Sequence, residues 1–378
     1  MRHVLVVGAG IVGAALADAL APECRVTVVD EGTPGRGTTA NGFAWINANR
    51  TLDETYFDFR VAAMREWERL AREFGTPQWH VPAGNLMWAD NEESRAELAA
   101  RVERLLSRGY PARFLSPADV AVIEPAVRVP DDAHVAHFPG EAFAHASQAA
   151  QALVKRAKSA GARLITHHRV VTLTQDHGRV NGVELATGDL ITADHVVCAA
   201  GWQSSRILGT AGVRLPLVDA HAPGSPAPGL TATTTPARLL RGVIHAPRMH
   251  LRPDWNGGLL LAARDLDVAT DLATPAATME ARAVELLARA RDILPGLEPG
   301  VAVRDVRRGV RPMPEDGFPL VGPVLPGLYV AVSHSAVTLA PHLARLIARE
   351  VLDGTPAEAL APYRPGRGGG HTSATAFV

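Results

Sequence analysis

The chain has 378 residues, of which 47% are hydrophobic, and its formal net charge at pH 7 is −1. This length exceeds what one simple core covers, so we expect two closely packed domains. The near-neutral charge disfavours nucleic acid or an anionic membrane as a partner, and no apolar run is long enough to span a bilayer.

The first predicted element is a buried strand, residues 4–7, which leads into the turn Gly8-Ala9-Gly10-Ile11-Val12-Gly13. Gly8 permits a tight turn, Gly10 lets backbone approach a pyrophosphate, and Gly13 lets the next helix pack against the strand. That helix, about residues 11–20, directs its free N–H groups at anions. The pattern therefore predicts a dinucleotide-binding unit.

A second strand, residues 26–29, ends at Asp30. This acid follows the glycines by about 20 residues, the spacing at which a carboxylate accepts from both ribose hydroxyls. Glu31 is the less favoured ribose ligand, because the ribose contact falls on the residue at which the strand ends. A signal peptide is the alternative for the N-terminus, but the glycines, Asp18 and the following strand disfavour it.

Cysteine and lysine are both scarce. Cys24 and Cys198 fall beside or within predicted strands, so we expect reduced thiols and a cytoplasmic protein. The only lysines, Lys155 and Lys158, share one predicted helix. Chemistry that demands a lysine at the reacting centre is therefore nearly excluded.

A glycine-rich loop follows Asp30 and becomes apolar at residues 43–47, which we interpret as backbone passing a large ligand. An amphipathic helix is predicted over about residues 54–74. Further on, residues 219–236 are rich in Pro, Ala, Thr and Gly and are interpreted as the least ordered interior stretch. The final predicted helix covers residues 340–352.

Two strands are predicted at residues 242–251 and 258–263. The residues between them, Asp254-Trp255-Asn256-Gly257, are of the types that form β-hairpin turns. Three histidines, His134, His137 and His145, invite a metal interpretation. No cysteine or clustered carboxylate completes a ligand set, so we predict no metal.

Four segments together resemble the superfamily of FAD-dependent amino acid oxidases and dehydrogenases, which includes D-amino acid, glycine and sarcosine oxidases. The resemblance covers nearly the whole chain to about residue 352. It implies an α/β fold in which a discontinuous Rossmann-type FAD-binding domain carries an inserted α+β substrate domain on a mainly antiparallel sheet. The segments are residues 8–13 with Asp30, 198–202, 309–322, and 327–331 running into His334-Ser335.

The resemblance also implies the site residues. The FAD is expected to be noncovalent, because no cysteine lies where some relatives attach it. The implied cofactor contacts are Gly8, Gly10, Ile11, Val12 and Gly13 at the pyrophosphate, Asp30 or Glu31 at the ribose, Arg36, Thr38 and Thr39 at phosphate or ribityl oxygens, Val170 at the adenine, Ala200, Gly201 and Trp202 after their strand, and Ser335, Val337, Thr338 and Leu339 under the flavin pyrimidine, with Arg311 nearby.

Arg311 is the candidate for the substrate carboxylate, since the arginine before proline has that part in relatives and its planar fork pairs both oxygens. The alternative is that Arg311 only bonds nearby carbonyls. The implied reaction oxidises an amine or amino acid by hydride transfer to flavin N5, giving an imine that water hydrolyses. Asp316-Gly317 is interpreted as a turn.

Sarcosine-oxidase-like enzymes place a lysine near N5 to help oxygen react, and this chain offers none. His250, Arg252 or His334 would supply positive charge instead, or the acceptor is a quinone or electron carrier rather than O2. His250 and Arg252 alternate along a strand and so face one side. A polar outer sheet face explains that alternation equally well.

Two other functions stay open at this stage: a 2-hydroxy acid dehydrogenase with the same carboxylate clamp, and a flavoprotein subunit that channels electrons or scaffolds a partner. An oligomer is possible. The expected division is an FAD-binding domain of residues 1–75, 143–215 and 303–363, a substrate domain of residues 76–142 and 216–302, and a disordered tail of residues 364–378.

Overall fold

The computed structural model describes residues 1–367, and in this part of the chain the strands form four sheets. The strands are β1 (His3–Val7), β2 (Arg25–Val29), β3 (Trp45–Ile46), β4 (His80–Val81), β5 (Asn85–Trp88), β6 (Arg113–Leu115), β7 (Val135–Phe138), β8 (Ala142–Ala144), β9 (Arg163–Ile165), β10 (Val170–Asp176), β11 (Arg179–Leu185), β12 (Leu190–Thr192), β13 (His195–Cys198), β14 (Pro228–Thr234), β15 (Val243–Ala246), β16 (Met249–Pro253), β17 (Leu259–Ala262), β18 (Val303–Val310), β19 (Leu320–Leu325) and β20 (Leu328–Val332).

The helices are α1 (Ile11–Leu20), α2 (Thr38–Asn41), α3 (Glu54–Glu73), α4 (Glu92–Ser107), α5 (Pro117–Ile123), α6 (Ala146–Ser159), α7 (Ser204–Gly209), α8 (Arg264–Val268), α9 (Ala276–Ile293) and α10 (Ala336–Asp353). Two short 3-10 helices cover Gly201–Gln203 and Glu358–Tyr363. Within residues 1–367, no helix has the length and apolarity needed to cross a membrane.

The first sheet has the strand order β19-β20-β13-β1-β2-β9. Every neighbouring pair is parallel except β19 with β20. Helices α1, α3, α6 and α10 contribute to the core on one face, and the antiparallel meander β10-β11-β12 covers the other. The central strand β1 is accordingly apolar and buried on both faces. This arrangement confirms the Rossmann-type prediction.

The second large sheet runs β18-β14-β17-β16-β15-β5-β7-β6 and is antiparallel except between β15 and β5. Helix α9 packs on it through Ala283, Leu286 and Ala290. A small sheet, β3-β8-β4, pairs three segments that are distant in the sequence. The mainly antiparallel second sheet confirms the prediction of an α+β unit.

In the expected division, β18 belongs to the FAD-binding domain. This strand pairs along its whole length with β14 in the second sheet, for example Gly229 with Gly309. The chain then enters the first sheet as β19. Residues 303–325 therefore connect the two large sheets directly.

Strand β14 also corrects the interpretation of residues 219–236 as poorly ordered. All seven of its residues are buried. Its Pro, Gly and Ala residues have little strand propensity, although its three threonines favour a strand, and pairing with β17 and β18 fixes its conformation. Likewise, the strand predicted over residues 242–251 is two strands, β15 and β16, joined by a tight hairpin.

Helix α10 begins at Ala336, four residues before its predicted start. In a helix that starts at residue 340, Pro341 would lie in the first turn, where proline is favoured. In the structure Pro341 lies inside the helix, and its missing N–H leaves the Val337 carbonyl without its helical donor. Trp67 Nε1 donates to that oxygen instead, at 2.8 Å. A side chain of α3 thus allows the earlier start.

The tail predicted to be disordered is partly ordered. Arg364 pairs with Glu350, and Arg367 donates to both carboxylate oxygens of Asp316, at 2.7 and 2.8 Å. Gly317 has φ of +83°, which confirms the predicted turn. Residues 368–378, the rest of the predicted tail, lie outside the described residues.

Candidate functional site

A cavity of about 740 Å³ lies where the carboxyl ends of β1, β2, β13 and β20 face β14 and β18. This is where open α/β sheets place their ligands, and its size suits a cofactor. Of the predicted site residues, those that line it are Gly8, Gly10, Ile11, Val12, Asp30, Glu31, Arg36, Thr38, Thr39, Val170, Ala200, Gly201, Trp202, Arg311, His334, Ser335, Val337 and Thr338. Gly13, Leu339, His250 and Arg252 are not in the cavity wall.

The glycine turn forms a cradle that side chains would fill. Gly8 has φ of +102°, and a Cβ there would lie 2.6 Å from the Ala199 carbonyl oxygen. At Gly13 a Cβ would lie 1.9 Å from the Gly8 oxygen. Gly10 has no side chain that could cap α1, and Thr39 Oγ1 accepts from the first helical N–H, that of Ile11, at 3.0 Å. The other N–H groups of the first turn are available to an anion.

Asp30 already accepts two backbone hydrogen bonds, from Ala9 N at 2.6 Å and Gly32 N at 2.7 Å, one on each oxygen. A carboxylate has about four acceptor positions, so further donors can still be bound. Glu31 is exposed and accepts from Gln203 Nε2 at 3.2 Å. Both acids lie in the cavity wall, as the ribose assignment requires.

The segment between Arg36 and Trp45 is fixed to β18. Thr38 Oγ1 donates to the Val310 carbonyl, and Asn41 Nδ2 donates to the Arg308 carbonyl at 3.2 Å. Arg307 Nη1 donates back to the carbonyl of Ala40 at 3.2 Å. The cofactor-side loop is thus held by the strand that leads into Arg311.

Arg60 is a site residue that the sequence interpretation missed. Its guanidinium donates to Ser335 Oγ at 2.6 Å and to the Asn47 carbonyl at 2.9 Å. With its hydroxyl so engaged, Ser335 does not cap α10, whose first turn lines the cavity through Val337 and Thr338. The available signal was a charged residue on the apolar face of α3, one turn after Tyr56.

Arg311 lies in the cavity wall as predicted, and it has a partner that the sequence did not indicate. Its Nη2 forms an ion pair with Asp267, and its Nη1 donates to the Pro226 carbonyl at 3.2 Å. Asp267 lines the same cavity. Burial raises the pKa of this carboxyl and the adjacent guanidinium opposes the shift. Asp267 and Arg311 lie 44 positions apart in the sequence, and no sequence motif links them.

The residues proposed to supply positive charge are placed differently. Arg252 is buried, and it donates to the carbonyls of Phe43 at 2.6 Å and Pro253 at 2.7 Å. Burial lowers the pKa of His250 to about 3, and burial together with Arg311 lowers that of His334 to about 3. Both imidazoles are therefore neutral near pH 7. Of the three, only His334 reaches the cavity.

Behind Trp45, which lines the cavity, lies a buried acid. Glu141 is fully buried and accepts from Trp45 Nε1, Asn49 Nδ2 and Tyr110 Oη at 2.8, 2.8 and 2.7 Å. Burial raises its pKa from 4.5 to about 7 against the opposing effect of these donors. Glu141 thus holds the indole of a cavity residue by a hydrogen bond.

Glu141 gives a testable pH dependence. Its pKa is higher in the folded than in the unfolded state, so its stabilising contribution is complete below pH 4.5 and is lost as pH rises to about 7. We expect the free energy of unfolding of the wild type, relative to Glu141→Gln, to fall by up to about 3 kcal/mol over that interval. Chemical denaturation at stepwise pH measures this. Parallel curves for the two proteins would contradict it.

Within residues 1–367, neither a cysteine nor a lysine lines the cavity. Cys24 and Cys198 are buried and free, as expected, and Lys155 and Lys158 both lie on α6. No group of metal-ligating side chains is found among the described residues. The cradle, the two helix N-termini and the acids at the end of β2 together fit a dinucleotide that carries a flavin.

A model of the protein family "FAD dependent oxidoreductase" (DAO) matches residues 3–350. Glycine oxidase of Pseudomonas putida is 29% identical over 387 residues, covering 96% of this chain and 98% of the relative. Glycine oxidase of Geobacillus kaustophilus is 26% identical over 372 residues, covering 95% of each.

Solved structures agree with the sequence comparisons. The crystal structure of the Geobacillus kaustophilus enzyme has a TM-score of 0.81 at 24% identity and covers 97% of this chain and 100% of its own. Iminodiacetate oxidase from a Chelativorans species has a TM-score of 0.80 at 24% identity, covering 96% and 98%. These similarities show the shared fold.

Proposed function

Because the chain belongs to the DAO family of FAD-dependent oxidoreductases, we propose that it oxidises the C–N bond of an amino acid, or of a secondary amine bearing a carboxylate. The supporting observation is Arg311, whose guanidinium lies in the same cavity as the glycine cradle. The relatives named glycine oxidase act on a substrate of this class.

In this proposal the FAD is noncovalent and is held from both ends of the cavity. The N-terminus of α1 would hold the pyrophosphate, and Asp30, with Glu31 beside it, would hold the ribose. The N-terminus of α10, whose first turn lines the cavity, would hold the pyrimidine edge of the flavin, where negative charge gathers on reduction. Arg60 keeps the Ser335 hydroxyl away from those N–H groups.

Arg311 binds the substrate carboxylate and so directs the Cα–H bond toward the flavin. When bound, the flavin supplies the hydride acceptor. The apolar segment at Phe43 and the buried strands around it exclude water from the reacting atoms. The imine product then hydrolyses.

The electron acceptor is O2, a quinone or an electron carrier. His250, His334 and Arg252 supply no charge at the cavity wall, and the arginines that line it among the described residues are Arg36, Arg60, Arg169, Arg206 and Arg311.

An absorbance spectrum and an anaerobic substrate panel test the proposal. The purified protein is expected to show bound flavin that glycine, N-methyl amino acids or D- or L-amino acids reduce. Reduction by 2-hydroxy acids alone would replace the proposed function with the hydroxy acid alternative. A flavin that no candidate reduces would favour an electron-channelling subunit.

A further inference from the structure

The Arg311–Asp267 pair suggests more than a carboxylate clamp. Asp267 lies on α8, directly after β17, and its Oδ1 accepts from the backbone N of Leu230 at 2.7 Å. Its side chain is 19% exposed and that of Arg311 is 32% exposed. Both therefore reach the cavity while being held by protein partners on the other side.

The backbone of β14 is shaped for this pair. A Cβ at Gly229 would lie 2.2 Å from Arg311 Nη2 and 3.2 Å from Asp267 Oδ1. The guanidinium and the carboxylate thus lie against the strand where a side chain would otherwise stand. Gly229 itself lines the cavity, so the pair belongs to the ligand-facing wall.

Both groups keep bonding capacity for a ligand. A guanidinium has five N–H donors, and the described contacts of Arg311 are those to Pro226 and Asp267. Asp267 accepts from Leu230 and Arg311, which leaves about two of its acceptor positions. A ligand carboxylate can therefore bind Arg311 without displacing Asp267.

The charge of a ligand determines how favourably it binds to the Arg311–Asp267 pair. The pair is neutral, so a ligand that brings only a carboxylate would place two anions on one guanidinium in a partly desolvated site. A ligand that also brings an ammonium restores neutrality. A hydroxyl can donate a hydrogen bond to Asp267, but it brings no charge.

We propose that Asp267 is a specificity-determining residue that binds the amino group of the substrate while Arg311 binds its carboxylate, and that the pair thereby selects amino acids over 2-hydroxy acids. The inference rests on the proposed function. The ammonium must lose a proton before the Cα–H bond breaks. Asp267 can accept that proton as N–H breaks and O–H forms, an exchange that its raised pKa eases.

Two ligands that lack a Cα–H test this in the holoprotein without turnover: 2-aminoisobutyrate and 2-hydroxyisobutyrate. Their dissociation constants are measured by calorimetry and by the flavin absorbance change. In the wild type we expect the amino ligand to bind at least about tenfold more tightly, a difference of about 1.4 kcal/mol. Equal affinities in the wild type would overturn the proposal, even if no variant can be prepared.

The variant Asp267→Asn is expected to remove that preference, by weakening the amino ligand and tightening the hydroxy ligand. Asp265→Asn, on the same short helix but exposed and paired with Arg289, is the matched control and should keep it. An unchanged ratio in Asp267→Asn would make Asp267 only a structural partner of Arg311. Failure of the proposed function would appear separately, in the reduction of the flavin by hydroxy acids or by neither class.

Discussion

Replacing Arg311 by alanine is expected to raise KM for the carboxylate substrate roughly ten- to several-hundredfold, because a bidentate charged contact is worth a few kcal/mol. The flavin should stay bound, since the glycine cradle and Asp30 are untouched. Steady-state kinetics and the flavin-to-protein absorbance ratio of the purified variant measure the two effects.

The substitution also leaves Asp267 without its guanidinium, which is costly for a half-buried carboxylate. The double variant Arg311→Met, Asp267→Asn removes both charges and should recover stability without recovering carboxylate binding. Arg304→Met, at the other end of β18 and paired with Asp254 and Asp305, is the matched control. An unaltered KM in Arg311→Ala would exclude Arg311 from the substrate site.

Gly13→Ala should yield protein without flavin. The new methyl group would lie 1.9 Å from the Gly8 carbonyl oxygen and 2.9 Å from its carbon, so α1 and the turn must separate. Backbone cannot yield as a flexible side chain does. The helix N-terminus would then leave the position from which it faces the pyrophosphate.

The same change at Gly209 controls for the loss of a glycine, because a Cβ there meets nothing within 4 Å. Gly209→Ala should purify fully yellow, with unchanged thermal stability. The measurement is the flavin content after size exclusion, with circular dichroism to show that both variants are folded. Full flavin content in Gly13→Ala would refute the cradle argument.

The sequence predicts the nucleotide half of the molecule well, because its signals are local. The strand at residues 4–7, the three glycines and Asp30 lie within one βαβ unit, where each residue type has a steric or electrostatic reason. The amphipathic helix predicted at residues 54–74 is α3, at Glu54–Glu73, for the same reason.

The substrate half depends on contacts between distant residues, which one sequence does not encode locally. Asp267 and Arg311 meet beside Gly229 of β14, and the Pro, Gly and Ala residues of β14 weaken the strand signal of its threonines. The start of α10 depends on Trp67, a residue of another helix. The alternation of His250 and Arg252 fits a sheet face equally well, and the structure turns Arg252 toward Phe43.

The bonds between the cofactor-side loop and β18 have a thermodynamic consequence. Thr38 and Asn41 are tied to the same strand that carries the chain into Arg311, so ordering one region restricts the other. Coupling free energy between two ligands is reciprocal. A carboxylate ligand bound at Arg311 is therefore expected to raise the affinity for FAD by the same factor by which FAD raises the affinity for that ligand.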